Sequence, residues 1–295
     1  MPSGGGRRRA APRSLVPVGL LLPAVGLFGV CFFVPLGLLL SLSFRRVVIG
    51  QPGEDGLTLA NYVQFLTDPF YLATLWDTLL LGFGVTALTL GLGYPMAFVI
   101  ARAPGRWRGV LRLLVLTPLL VSVVIRTYGW MILLGGNGPV NQALLALGLV
   151  GTPVRFLFTI KGVLIGLVHV ELPVMVLALA GVIERIDPHL EEAAESLQAN
   201  PIRSFLAVTL PLSLPGIAAG CMLVFSVSIA AFVTPALLGG PSLLVLATLM
   251  YQQIMVVLDW SFGATAGVIL LAACTVLFAL YQRLMAIGRL WGGVQ

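Results

Sequence analysis

A chain of 295 residues that is 59% hydrophobic and 9% charged, with a mean hydropathy of +1.04, carries more apolar surface than a soluble core can bury. The net charge of +6 follows a membrane topology instead of gathering in one patch, so no nucleic-acid partner is expected. Cys31, Cys221 and Cys274 all fall in apolar runs without metal-ligand spacing, which makes them small packing residues.

Residues 1–13 are rich in Gly, Arg and Pro and read as a disordered basic cytoplasmic tail, with Arg7, Arg8, Arg9 and Arg13 facing anionic membrane lipid. The transmembrane domain is expected over 14–291, followed by a short tail at 292–295. Apolar runs near 15–42, 73–101, 109–134, 162–183, 207–234 and 262–287 each supply the roughly 20 residues that cross about 30 Å of hydrocarbon. None shows the short alternating strands of a β-barrel. The expected fold is therefore an all-α, polytopic membrane bundle of six transmembrane helices. The first run has the basic start of a signal peptide, but its length and the missing small-residue cleavage site mark it as a retained span.

The first outer loop, 43–72, holds the turn cluster Gln51-Pro52-Gly53-Glu54-Asp55-Gly56. Arg102, Arg106, Arg108 and Arg112 bracket the turn between spans two and three. The second outer loop, 135–161, carries a short apolar helix at 140–149. Gly239-Gly240-Pro241 opens a third outer loop, whose stretch 243–257 is too short and interrupted for a seventh span. The arginine bias puts both termini in the cytoplasm. Glycines and prolines within spans, among them Gly82, Gly84, Gly93, Pro95, Pro118 and Pro173, suit close helix contact and kinks.

The loop at 184–211 is polar and holds five of the eleven acids: Glu184, Asp187, Glu191, Glu192 and Glu195. Asp187-Pro188 is a helix start, with Asp as acceptor for backbone N–H groups and Pro at the first helical position. Asn200-Pro201 is a second start, so two short helices joined by a bend are expected to project into the cytoplasm. Ala193, Ala194, Leu197 and Phe205 give this segment an apolar side that a plain connector would not need.

Energy-converting chemistry is missing. The single lysine, Lys161, lies outside any Gly-x-x-x-x-Gly-Lys pattern, so no P-loop exists. No His-Glu-x-x-His or Gly-x-Ser-x-Gly occurs, and His169, inside span four, and His189, in the loop after it, cannot share a metal. The chain is expected to be no enzyme. Span interiors offer Glu171 and few other carboxylates, too few for a proton-coupled carrier.

Glu192-Ala193-Ala194, three residues, Gln198, nine residues and then Val208-Thr209-Leu210-Pro211 resembles the EAA loop of ABC importer permeases, E-A-A-x3-G-x9-I-x-L-P. Gln198 replaces the pattern's Gly and Val208 its Ile; Asn200, which tolerates positive φ, is expected to take over the bend. Asn61-Tyr62, Tyr94-Pro95-Met96-Ala97, Arg126-Thr127-Tyr128-Gly129-Trp130, Gly138-Pro139-Val140-Asn141 and Thr234-Pro235 extend the likeness to permeases of spermidine/putrescine-type importers over nearly the whole chain.

The resemblance implies a bacterial inner-membrane permease paired with a second, non-identical permease around a pseudo-twofold pore. A dimer of ABC ATPase subunits would bind the ATP and Mg, leaving no cofactor in this chain, and a periplasmic binding protein would deliver substrate. It further implies that Glu191, Glu192, Ala193, Ala194, Gln198, Leu210 and Pro211 couple the chain to the ATPase. A polyamine is the expected substrate; Fe(III), a phosphonate or an opine-like amine are the alternatives within transport. A non-transporting membrane scaffold or sensor is the alternative from another class, and a membrane enzyme stands third.

A charge in hydrocarbon needs a partner or a wet cavity. Glu171 and His169 in span four and Arg126 in span three are thus candidates for the translocation pathway, with Glu171 either paired to Arg126 as structural glue or gate, or facing the pore to attract an ammonium group. Tyr128 and Trp130 could hold such groups by cation–π contact, as could Tyr94, although aromatic rings at these positions also serve as interfacial belts.

Overall fold

The computed structural model describes residues 16–46 and 56–291. The expected tails at 1–13 and 292–295, and the turn at 51–55, lie outside the described residues. Regular structure is helical throughout the described part, in chain order α1 (Val16–Ser43), α2 (Ala60–Thr67), α3 (Pro69–Arg102), α4 (Gly105–Leu116), α5 (Val123–Leu133), α6 (Pro139–Ala146), α7 (Ile160–Ile183), α8 (His189–Ser196), α9 (Pro201–Ser204), α10 (Leu210–Ala230), α11 (Leu246–Tyr251) and α12 (Trp260–Trp291).

Local chemistry sets the long helices. Asp68 opens α3 by accepting the Phe70 N–H at 2.9 Å, and Pro69 occupies the first turn. Inside α3 the hydroxyls of Thr78, Thr86 and Thr89 donate to carbonyls four residues back at 2.7, 2.7 and 2.8 Å. Each polar side chain is thereby satisfied within its own helix, as a membrane interior demands. The Thr78 hydroxyl also accepts the Leu246 N–H at 2.8 Å and fixes α11 on α3.

Glycine positions give the helix directions. A Cβ on Gly84 would meet Leu164 at 3.2 Å and one on Gly93 would meet Met175 at 3.1 Å, so α3 and α7 run parallel. Gly216 faces Val182, and Gly166 faces Thr234 and Leu238 beyond the end of α10, so α10 runs antiparallel to both. Val85, Leu167, Met175, Val176, Leu179 and Val224 fill the core between the three. A second core joins Phe65, Leu246, Leu249, Phe262 and Ala266. The first helix packs along α12 and exposes Phe28 and Phe33 among other apolar side chains, as a lipid-facing helix does.

Two parallel neighbours need a crossing between them. The chain supplies it through α4, a 3₁₀ turn at Thr117–Leu120 and α5, which bend by 91° at their junction. The span expected at 109–134, with Pro118 as a kink position, is this broken pair. Pro118 lacks an N–H and Val121 is extended, with φ −92° and ψ 135°, which ends one helix before the next begins. Among the described residues five helices are long and apolar enough to cross a membrane, and the bent pair makes six if it counts as one span. The fifth span begins earlier than expected, at Pro201, and runs to Ala230. The apolar segment Leu246–Val257 is short, and its α11 part packs in the second core.

The approach to α7 leaves no room for a side chain at Gly162, where a Cβ would lie 2.5 Å from the Phe156 carbonyl oxygen. That oxygen accepts the Thr159 hydroxyl at 2.7 Å, and the Phe158 N–H is bound to the Leu238 carbonyl at 2.7 Å, so the backbone there is held. Gly162→Ala is expected to destabilise by about 1–3 kcal/mol and to lower the unfolding midpoint of the detergent-solubilised protein. Gly181→Ala, where nothing lies within 4 Å, should leave the midpoint unchanged or slightly raised.

Candidate functional site

The segment 184–211 folds as two short helices joined by a bend. Asp187 accepts the His189 N–H at 3.0 Å at the start of α8, and Asn200 accepts the Arg203 N–H at 2.7 Å at the start of α9. The latter helix continues through a π-helical turn, Phe205–Thr209, into α10. The bend itself sits at Gln198, with φ +63°. Asn200 has φ −71° in an extended conformation, which corrects the expectation that it takes over the left-handed position. Gln198 thus adopts the conformation for which the EAA pattern carries Gly.

A left-handed Gln costs roughly 1–2 kcal/mol. Gln198→Gly is expected to recover about 1 kcal/mol of that, less the extra freedom of glycine in the unfolded chain. The measurable outcome is a raised unfolding midpoint with transport retained, whereas Gln198→Val should lower both.

The two adjacent acids of α8 point in different directions. Glu192 is exposed and pairs with His189 at 2.9 Å; the hydrogen bond and charge of Glu192, with help from Asp187, raise the His189 pKa above its ordinary value. Glu191 turns inward. Its Oε1 accepts Arg102 Nη2 and the Thr209 hydroxyl, both at 2.5 Å, while Arg102 Nη1 donates to the Ile186 carbonyl at 3.1 Å. Arg112 of α4 forms an ion pair with Glu184 at the end of α7. Of the expected coupling residues, Glu192 and Ala193 are exposed, Ala194 and Leu210 half-buried, and Gln198 and Pro211 exposed. Leu197 is 85% and Ile202 69% exposed, which gives the loop an apolar outer surface.

Around the elbow, Glu171 lines a cavity of about 500 Å³ together with Val123, Leu167, Ser226, Phe232 and Thr234. The walls are otherwise mainly apolar, and the Glu171 side chain is buried. Among the described residues Glu171 makes no ion pair or hydrogen bond, so the expected Glu171–Arg126 pair is not formed. The charge of Arg126 still reaches both Glu171 and His169. Its Nε and Nη1 and the Nδ1 of His169 are enclosed without hydrogen-bond partners in the structure. Trp130 meets the His169 ring edge-on at 5.5 Å, and Tyr128 is exposed. Four of the five expected pathway residues, Arg126, Trp130, His169 and Glu171, are thus linked around one elbow. Tyr94 instead bonds Ser213 at 2.7 Å on the α10 side of the core.

Sequence reasoning missed Arg102 and Arg112 as anchors of the loop, and Thr209 as the second donor to Glu191. The arginines read as topology signals, and their partners lie 72 to 89 positions away.

A polytopic helical bundle with a structured loop between its spans and a buried carboxyl group on a membrane cavity fits a membrane permease. The chain belongs to the family of binding-protein-dependent transport system inner membrane components, which its residues 89–286 match. It is 34% identical over 264 residues to the spermidine/putrescine transport system permease protein PotB of Escherichia coli K12, covering 90% of this chain and 96% of that protein. To the PotB of Haemophilus influenzae it is 35% identical, over 77% of this chain and 79% of the relative. Its fold is similar to a crystal structure of a bacterial ABC transporter that imports the acidic polysaccharide alginate. That match has a TM-score of 0.73 and 21% identity, covering 92% of this chain and 95% of the other.

Proposed function

We propose that this chain is one permease of an ATP-driven importer of polyamines, with spermidine or putrescine as substrate. The observation that carries this reading is Glu171: a buried, unpaired carboxylate on a mainly apolar membrane cavity. A carboxylate so placed attracts an ammonium group strongly, because low dielectric magnifies the charge interaction. The names of the relatives in Escherichia coli and Haemophilus influenzae support the same substrate class.

In this reading both termini and the loop at 184–211 face the cytoplasm. An ABC ATPase dimer, holding ATP and Mg, receives the exposed side of α8 with Glu192, Ala193 and Leu197. A second, non-identical permease closes the pore, and a periplasmic binding protein supplies substrate. Closure of the ATPase pair moves the spans between inward-open and outward-open states.

The test is uptake of radiolabelled spermidine and putrescine in cells lacking other polyamine transport, with and without this chain beside its cognate ATPase, second permease and binding protein. Uptake that needs this chain and is competed by unlabelled polyamine is the expected result. Uptake of Fe(III) or 2-aminoethylphosphonate without polyamine uptake would overturn the substrate assignment.

A further inference from the structure

Neighbouring acids in the loop do separate work. We infer that Glu191 and Arg102 are positioning residues that lock α8 onto the end of α3, so that displacement of α8 passes into the α3–α7–α10 core. The inference rests on the reading that α8 is the surface met by an ATPase, and adds to it the internal route by which the push is transmitted.

Main-chain geometry alone would transmit poorly. Short turns connect α8 to its neighbours, and the turn after it hinges on the left-handed Gln198. A helix held only at its ends by turns pivots when pushed. The Glu191 carboxylate removes that freedom by binding two other elements at once: Arg102 in the last turn of α3 and Thr209 in the π-helical turn that enters α10. The same guanidinium holds the Ile186 carbonyl in the turn before α8. Arg102 and Glu191 are only 19% and 21% exposed, so the pair is shielded from the solvent competition that weakens surface ion pairs.

Aromatic packing continues the connection. The Arg102 guanidinium lies 5.9 Å from the Phe98 ring centre, Phe98 meets Phe205 edge-on at 5.9 Å, and Phe205 meets Tyr94 edge-on at 5.5 Å. Tyr94 then bonds Ser213 of α10. A parallel connection runs from Glu184 to Arg112 of α4, shortly before the elbow whose far side contributes Val123 to the Glu171 cavity. The core helices therefore receive α8 through side chains as well as through the main chain.

Glu191→Gln, Arg102→Gln and the double variant test this in the assembled transporter. Each single variant is expected to lower binding-protein-stimulated ATP hydrolysis, and substrate moved per ATP, by about tenfold. The double variant should be no worse than either single one, because both remove the same connection. A photo-crosslinker at position 197 should still trap the ATPase in all three. Wild-type stimulation in the single variants, additive losses in the double, or loss of the crosslink in Glu191→Gln would each overturn the proposal. If the arginine and glutamate variants fail to assemble, Thr209→Val decides. It deletes one hydroxyl on the same carboxylate and should give a smaller loss in the same direction, while unchanged coupling would refute the connection. Failure of the wild-type position 197 to crosslink to the ATPase would instead refute the docking reading on which the inference rests.

Discussion

Leu197→Asp is expected to bring transport and binding-protein-stimulated ATP hydrolysis of the assembled importer to background. Leu197 is 85% exposed at the end of α8, with Ile202 69% exposed on the next helix. Burying a leucine in a partner's groove gains about 1.5–3 kcal/mol, and an aspartate there would have to lose its hydration without a partner. The combined change is of hot-spot size, about 2–4 kcal/mol, which weakens an interface roughly 30- to 1,000-fold. The isolated chain should be unaffected, since the side chain contributes little to its own fold while exposed. The discriminating pair of measurements is therefore stimulated hydrolysis in the complex and the unfolding midpoint of the purified permease. Lost hydrolysis with an unchanged midpoint supports docking through the loop. Retained hydrolysis would show that 184–211 is not where ATP-driven movement enters.

The span count was readable because unbroken apolar runs have no stable alternative to membrane helices. Pro118 allowed a kink in the third run, but its 91° angle depends on long-range packing. Gly84 against Leu164 and Gly93 against Met175 align α3 parallel to α7, and the intervening chain must cross back within the space that remains. Likewise, the helical period separates Glu191 from Glu192 by about 100°, yet does not say which turns inward. Arg102, 89 positions away, decides it. The bend at Gln198 shows the limit of residue preference: Asn tolerates positive φ better, but Asn200 is already engaged as the acceptor for the Arg203 N–H. Glu171 was identifiable as an expensive charge in an apolar run, whereas the lack of a Glu171–Arg126 ion pair depended on the elbow geometry.

Glu171→Gln is the variant expected to separate a pathway role from a packing role. The substitution keeps the shape and removes the negative charge. At about 4 Å and an effective dielectric of 20, a carboxylate and an ammonium attract by about 4 kcal/mol; after partial desolvation of both ions, a loss of roughly 2–3 kcal/mol remains, or about 30- to 150-fold in cation uptake. Stability should not fall with it. Glu171 has no ion-pair or hydrogen-bond partner among the described residues, and an unpaired carboxylate in a membrane span costs about 2.5–3.5 kcal/mol. Neutralising it is therefore expected to leave the unfolding midpoint unchanged or raised, since the nearby Arg126 charge offsets part of that cost, while uptake collapses. A packing role gives the opposite pair of results, a lowered midpoint with uptake per folded transporter unchanged. Measuring both quantities on the same reconstituted preparation assigns the charge, because loss of a residue that stabilises the bundle lowers the midpoint, whereas loss of one that attracts a passing cation lowers uptake.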